Sequence, residues 1–152
     1  MEERHNLDLK PIGTIHSPYK SREEAPYQGC GREEICAVEV FPEFEEGLKD
    51  IEGFSHLILI YWLHQSRGYS LNVRTPWDVV PHGLFTTRSP NRPCPLGLCV
   101  VGLVAREGNI LKVKGLDALD GTPLLDIKPY IPSLDAKTDA KVGWLEDKLT
   151  NS

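Results

Sequence analysis

The residues with most chemical capacity lie in one stretch, His82-Gly83-Leu84-Phe85-Thr86-Thr87-Arg88-Ser89-Pro90-Asn91-Arg92-Pro93-Cys94-Pro95-Leu96-Gly97-Leu98. Pro90, Pro93 and Pro95 fix φ and remove backbone donors, so the segment is stiff without being regular. Arg88 and Arg92 ride on it with Ser89 and Asn91 between them. A guanidinium on a rigid loop suits an anionic or planar polar ligand, and Arg88 suits a carboxylate. Three further polar clusters stand at predicted strand ends or turns: Pro26-Tyr27-Gln28, His64-Gln65 and Leu119-Asp120-Gly121. A ligand with a carboxylate, an amine, a ribose diol and an aromatic base would use all four. Asp120, on a glycine turn that lets backbone come close, suits ribose hydroxyls or an ammonium group. Tyr27 or Phe85 offers a face for stacking on a base. The competing reading is plainer: a surface crossover whose arginines face water, and a rim histidine at position 64.

Other chemistries find little support. There is no glycine-rich phosphate cradle of either familiar pattern. Ser89, His82 and Asp120 make a hydrolytic triad only on paper. The five histidines lack HExxH spacing, and Cys30, Cys36, Cys94 and Cys99 form no paired CxxC knuckles, so no metal site is expected and the thiols are read as reduced. The formal net charge of −5 gives no global pull toward nucleic acid, so an RNA partner requires a local basic patch. No apolar run is long enough to cross a bilayer, and the charged start Met1-Glu2-Glu3-Arg4-His5 leads into no signal-like core. The reading is a cytoplasmic protein of one domain, 1–152.

The elements that must carry these clusters follow from pattern. Leu9 to Ile15, Glu34 to Phe41, Ser55 to His64, Leu98 to Ala105, Ile110 to Leu116 and Leu124 to Tyr130 read as strands. The apolar run Leu57-Ile58-Leu59-Ile60-Tyr61-Trp62-Leu63 predicts a strand buried on both faces. Pro42 opens a short helix with Phe44, Leu48 and Ile51 on one side, placed to plug one end of a sheet. Ser66 to Pro81 reads as a loop or hairpin excursion, and Val142 to Leu149 as a short helix docking through Trp144 and Leu145. Many short strands with proline and glycine turns predict a mainly β protein, a closed antiparallel barrel with a few short helices, which leaves no unpaired edge.

Four segments together resemble the TsaA-like (TrmO-type) family: Ile12-Gly13-Thr14-Ile15-His16-Ser17-Pro18, Phe54-Ser55-His56-Leu57, the Phe85 to Leu98 loop, and Leu119-Asp120-Gly121-Thr122-Pro123-Leu124-Leu125-Asp126-Ile127-Lys128-Pro129-Tyr130. The resemblance spans roughly Pro11 to Tyr130. It implies a β-barrel, homodimeric, S-adenosylmethionine-dependent tRNA methyltransferase acting on N6 of the threonylcarbamoyladenosine beside the anticodon. It implies cofactor contacts at Pro26, Tyr27, Gln28, His64, Gln65, Arg88, Leu98, Ala118, Leu119, Asp120 and Gly121. Tyr27 stands where relatives often carry a basic residue and Cys94 where they often carry Asn. Many relatives have an extra C-terminal domain.

The attacking nitrogen, attached to a carbamoyl group and an adenine, is poorly basic and must lose its proton during attack. Asp126, Lys128 and Tyr130, at alternating positions of one strand, share a face. That face is expected to meet the acceptor nucleotide, against the alternative of a structural ion pair beside a rim aromatic. Arg92, Lys112 and Lys114 are expected to touch RNA phosphates. Rival readings are a non-enzymatic S-adenosylmethionine-binding regulatory barrel, a methyltransferase acting on a small molecule or protein, and a purely structural barrel.

Overall fold

The computed structural model describes residues 4–21 and 34–149. They contain eight strands: β1 (Gly13–His16), β2 (Ile35–Val40), β3 (His56–Trp62), β4 (Asn72–Thr75), β5 (Asp78–Gly83), β6 (Leu96–Glu107), β7 (Ile110–Lys114) and β8 (Thr122–Pro129). Six of them close into a barrel in the order β1-β2-β7-β6-β3-β8, with every neighbour antiparallel. The chain divides into two compact units, the barrel (1–64 and 96–130) and a second unit (65–95 and 131–152).

Period-two alternation fills the barrel. Cys36, Val38 and Val40 of β2, Leu57, Leu59 and Tyr61 of β3, Cys99 and Val101 of β6, Leu111 and Val113 of β7, and Leu124 of β8 are all buried. Full burial of each large aliphatic contributes about 1.5–3 kcal/mol relative to exposure. The unbroken apolar run of β3 is not buried on both faces as its composition predicts. Ile58 and Ile60 are half-buried, His56 and Trp62 exposed. In a small barrel only one face of a strand can point inward, so the second apolar face of β3 is exterior.

Two register shifts reset that alternation. Tyr61 pairs with Leu124 and Ile60 with Asp126, so Leu125 is an extra residue on β8. Leu124 therefore points inward before the bulge and Ile127 packs against the core after it, while Asp126 and Lys128 lie on the exterior opposite Ile60 and Ile58. A second shift falls between Leu103 and Ala105 of β6.

One end of the barrel is closed by the expected helix, realised as two 3-10 stretches, Pro42–Leu48 and Ile51–Gly53, separated by Asp50 at φ 73°. Leu48 is buried, with Phe44 and Ile51 packed behind it. Arg106 ties this plug down, its Nη1 donating to the Leu48 carbonyl at 3.1 Å. The opposite end carries the end of β1, the start of β2, the β7–β8 connection, the end of β3 and the start of β6.

In the second unit β4 and β5 form the predicted excursion as a two-stranded hairpin, followed by a 3-10 turn at Leu84–Thr86. Its C-terminal part has α1 (Pro132–Asp135), a 3-10 turn at Gly143–Leu145 and α2 (Glu146–Leu149). Trp144 docks as the sequence predicts. Its ring stacks on His82 at 3.9 Å and 7°, and its indole Nε1 donates to the Thr86 carbonyl and hydroxyl. His82 Nε2 in turn lies 2.9 Å from Asp78 Oδ2, so this histidine belongs to a structural pair. That hydrogen bond is the leading reason the Asp78 carboxyl sits below the usual carboxylate range.

Candidate ligand-binding site

The end of the barrel opposite the plug is organised by the β7–β8 connection, Gly115 to Gly121. Gly121 takes φ 82°, the left-handed conformation that favours glycine, and its N–H returns to the Ile15 carbonyl at 2.8 Å. Asp120 donates its own N–H to the Tyr19 carbonyl at 2.7 Å. Its carboxylate accepts from the Ser17 N–H at 3.0 Å through Oδ1 and from Lys20 Nζ at 2.7 Å through Oδ2. Ser17 Oγ completes the tie by donating to the Ala118 carbonyl at 2.8 Å. The Lys20 hydrogen bond foremost, then the Ser17 N–H, holds the Asp120 carboxyl below the ordinary range. Asp120 is thus a fixed anion, and a carboxylate has further lone-pair sites for ligand hydroxyls.

A second strut reaches the same connection from inside the barrel. The Tyr61 phenol donates a short hydrogen bond to Asp117 Oδ1. Burial, reinforced by the Asp117 charge, raises the phenol's pKa, so it remains a donor. The ring lies over Gly97, its partner in the β3–β6 register, where an added Cβ would stand 2.3 Å from the ring. The glycine of the Pro95-Leu96-Gly97-Leu98 motif is therefore a packing requirement. Composition marks Tyr61 only as apolar and leaves Asp117 an ordinary turn residue; their pairing needed the register of three strands. Cys99 Sγ adds a contact at 3.2 Å to the Gly115 carbonyl.

Of the cofactor-contact positions expected from the resemblance, the barrel unit brings Ala118, Leu119, Asp120 and Gly121 onto this one turn. His64 lies just past β3, half-buried, its N–H bonded to the Trp62 carbonyl at 2.8 Å. Leu98 stands on the exterior of β6 opposite Ile60 and is half exposed. Gln65 and Arg88 are exposed residues of the second unit. Pro26, Tyr27 and Gln28 lie outside the described residues.

The stiffness expected of the arginine loop has a concrete basis within the second unit. Arg92 Nη1 donates to the Thr87 and Ser89 carbonyls at 2.9 and 3.0 Å. Thr87 Oγ1 donates to the Leu84 carbonyl, and Asn91 Oδ1 accepts from Ser66 Oγ and from the Arg67 N–H, both at 3.1 Å. Asp126 and Lys128 form an ion pair at 3.0 Å on the exterior of β8. Tyr130 follows that strand, its N–H bonded to the His56 carbonyl and its ring edge-on to the His56 ring at 6.2 Å. At about 3.3 Å per residue Asp126 lies roughly 16 Å along the strand from Gly121, and Tyr130 lies near the plugged end.

Comparison with known proteins gives a consistent result. Residues 14–136 match the family described as tRNA-methyltransferase O N-terminal domain. The chain is 52% identical over 141 residues to a probable S-adenosyl-L-methionine-binding protein of Archaeoglobus fulgidus, covering 93% of this chain and 38% of that protein. It is 32% identical to the tRNA (adenine(37)-N6)-methyltransferase of Escherichia coli, covering 93% of this chain and 65% of the relative. A crystal structure of TrmO from Pseudomonas aeruginosa superposes with a TM-score of 0.78 at 36% identity, over 91% of this chain and 62% of that one. The chain thus spans less than two thirds of the length of each of these three proteins.

Proposed function

Because this chain belongs to the tRNA-methyltransferase O N-terminal domain family, we propose that it is a cytoplasmic S-adenosylmethionine-dependent methyltransferase acting on N6 of the threonylcarbamoyladenosine next to the tRNA anticodon. The observation that carries the reading is the tied turn Ala118 to Gly121, which holds an ionised carboxylate at the end of the barrel opposite the plug. Such a turn fits ribose hydroxyls, and the exposed guanidinium of Arg88 fits a carboxylate. Pro26, Tyr27, Gln28, His64, Gln65 and Leu98 complete the proposed cofactor set. When bound, S-adenosylmethionine supplies an electrophilic methyl group on a sulfonium.

The protein's own contribution is alignment, the largest lever available to a direct displacement. We assign the exterior face of Asp126, Lys128 and Tyr130 to the acceptor nucleotide, whose N6 proton must be drawn off during attack. The homodimer implied by the family has support in the apolar exterior of β3 and β6, where Trp62 faces Leu96, Ile60 faces Leu98 and Ile58 faces Val100. That strip runs beside Asp126 and Lys128, so a second protomer seated on it would meet the acceptor face. Lys112 and Lys114 on β7, with Arg92 in the second unit, are the proposed phosphate contacts.

Incubation with methyl-labelled S-adenosylmethionine and unfractionated tRNA tests the reading. Label at N6 of the modified adenosine is expected. Cofactor binding without label in RNA would instead favour a regulatory S-adenosylmethionine-binding barrel, and label outside RNA would favour another acceptor. Arg88→Ala is expected to raise the cofactor KM at least tenfold with a smaller change in kcat. An unchanged KM removes Arg88 from the carboxylate role.

A further inference from the structure

Charge is distributed unevenly along this chain. The whole sequence carries −5, yet residues 65–95 hold Arg67, Arg74, Arg88 and Arg92 against the single acid Asp78, a net charge of +3. All four cations are arginine, the residue suited to planar stacking and forked hydrogen bonding. In the same segment Phe85 is 73% exposed, an apolar ring standing in water. The Arg92 guanidinium carbon lies 5.8 Å from that ring's centroid. Arg92 is itself held by the two carbonyls of Thr87 and Ser89. Thr86, the next residue after Phe85, is pinned by the Trp144 indole. Arg67 is exposed, and its backbone is fixed to Asn91, the neighbour of Arg92.

We infer that Phe85, backed by Arg92, is a stacking platform for an unpaired base of an RNA loop, with Arg67, tied through its backbone to Asn91, taking a phosphate of the same loop. The inference rests on the tRNA reading above and adds the surface that grips the substrate. A base splayed from a single-stranded loop gains from an exposed aromatic face, whereas duplex RNA keeps its bases stacked internally and hides its major-groove edges. Arg92, with Nη1 held by two carbonyls, stiffens the platform and keeps its remaining N–H donors for the phosphate contact proposed above.

The test is equilibrium binding of the full chain to an RNA stem-loop and to a fully paired duplex of equal length, across a salt series, alongside cofactor affinity and thermal melting. Phe85→Ala is expected to weaken stem-loop binding roughly tenfold, with the salt slope and melting temperature unchanged. Arg67→Ala is expected to weaken binding and flatten the salt slope by about 0.7 of a unit. The wild type is expected to prefer the stem-loop. Equal affinity for the duplex, unchanged stem-loop binding in both variants, or a loss of cofactor affinity or self-association instead would overturn the platform. If the wild type methylates tRNA while Phe85→Ala binds and methylates it equally well, only the platform falls. If the wild type neither binds nor methylates tRNA, the functional reading falls with it.

Discussion

Asp120 shows how a single side chain can serve fold and site together. Its carboxylate closes β1 against the β7–β8 turn through Ser17 and Lys20, and those same donors keep it ionised. A carboxyl whose folded pKa lies below its unfolded value stabilises the fold above the unfolded value and loses that contribution as pH falls through the folded one. Asp120→Asn is therefore expected to lower Tm near neutral pH. The gap between the two proteins should narrow as the pH is taken below 3.8, the ordinary carboxyl value here. Melting curves measured from pH 7 to pH 2.5 check this, and a gap independent of pH would remove Lys20 and Ser17 as the cause. The sequence makes Asp120 and its glycine visible as a turn. It does not show that Lys20, a hundred residues earlier, has already engaged the carboxylate.

At the scale of elements, the Tyr61 strut links the barrel interior to the turn that bears Asp120. The ring needs Gly97 beneath it and the hydroxyl needs Asp117 beyond it. Tyr61→Phe removes one charge-assisted hydrogen bond, about 1.5–3 kcal/mol. Gly97→Ala forces the ring aside at about 1–3 kcal/mol. For a chain of this size each should lower Tm by roughly 3–10 °C. If the strut positions the turn, Tyr61→Phe also raises the cofactor KM while kcat holds, a split that loss of stability alone does not produce. Equal KM in wild type and variant would confine Tyr61 to packing.

Across the whole molecule, the exposed row of Trp62, Leu96, Leu98 and Val100 is a larger apolar surface than scattered single side chains account for. Val100→Lys places a charge at its middle on an exterior position, so the barrel interior is untouched. Analytical ultracentrifugation is expected to show a dimer for the wild type and a monomer for this variant at micromolar concentration. An identical sedimentation profile for both would take this strip out of the interface. Among the described residues no helix is long and apolar enough to cross a membrane.

The strands, the plug after Pro42, the β6–β7 hairpin and the docking of Trp144 were legible because each is written in local periodicity or in a single breaker. The closed barrel could be inferred because short strands of this number leave edges that must pair. The family motifs likewise sit in contiguous stretches, so the resemblance needed no coordinates. Three features are settled by distant partners and became visible only once the chain closed. These are the exterior apolar face of β3, the bulge at Leu125 that sets Asp126 and Lys128 outward, and the joining of Ser17, Lys20 and Asp120. Side-chain direction in a strand reverses with each residue, so one inserted position in a register decides which groups meet, and no local pattern records it.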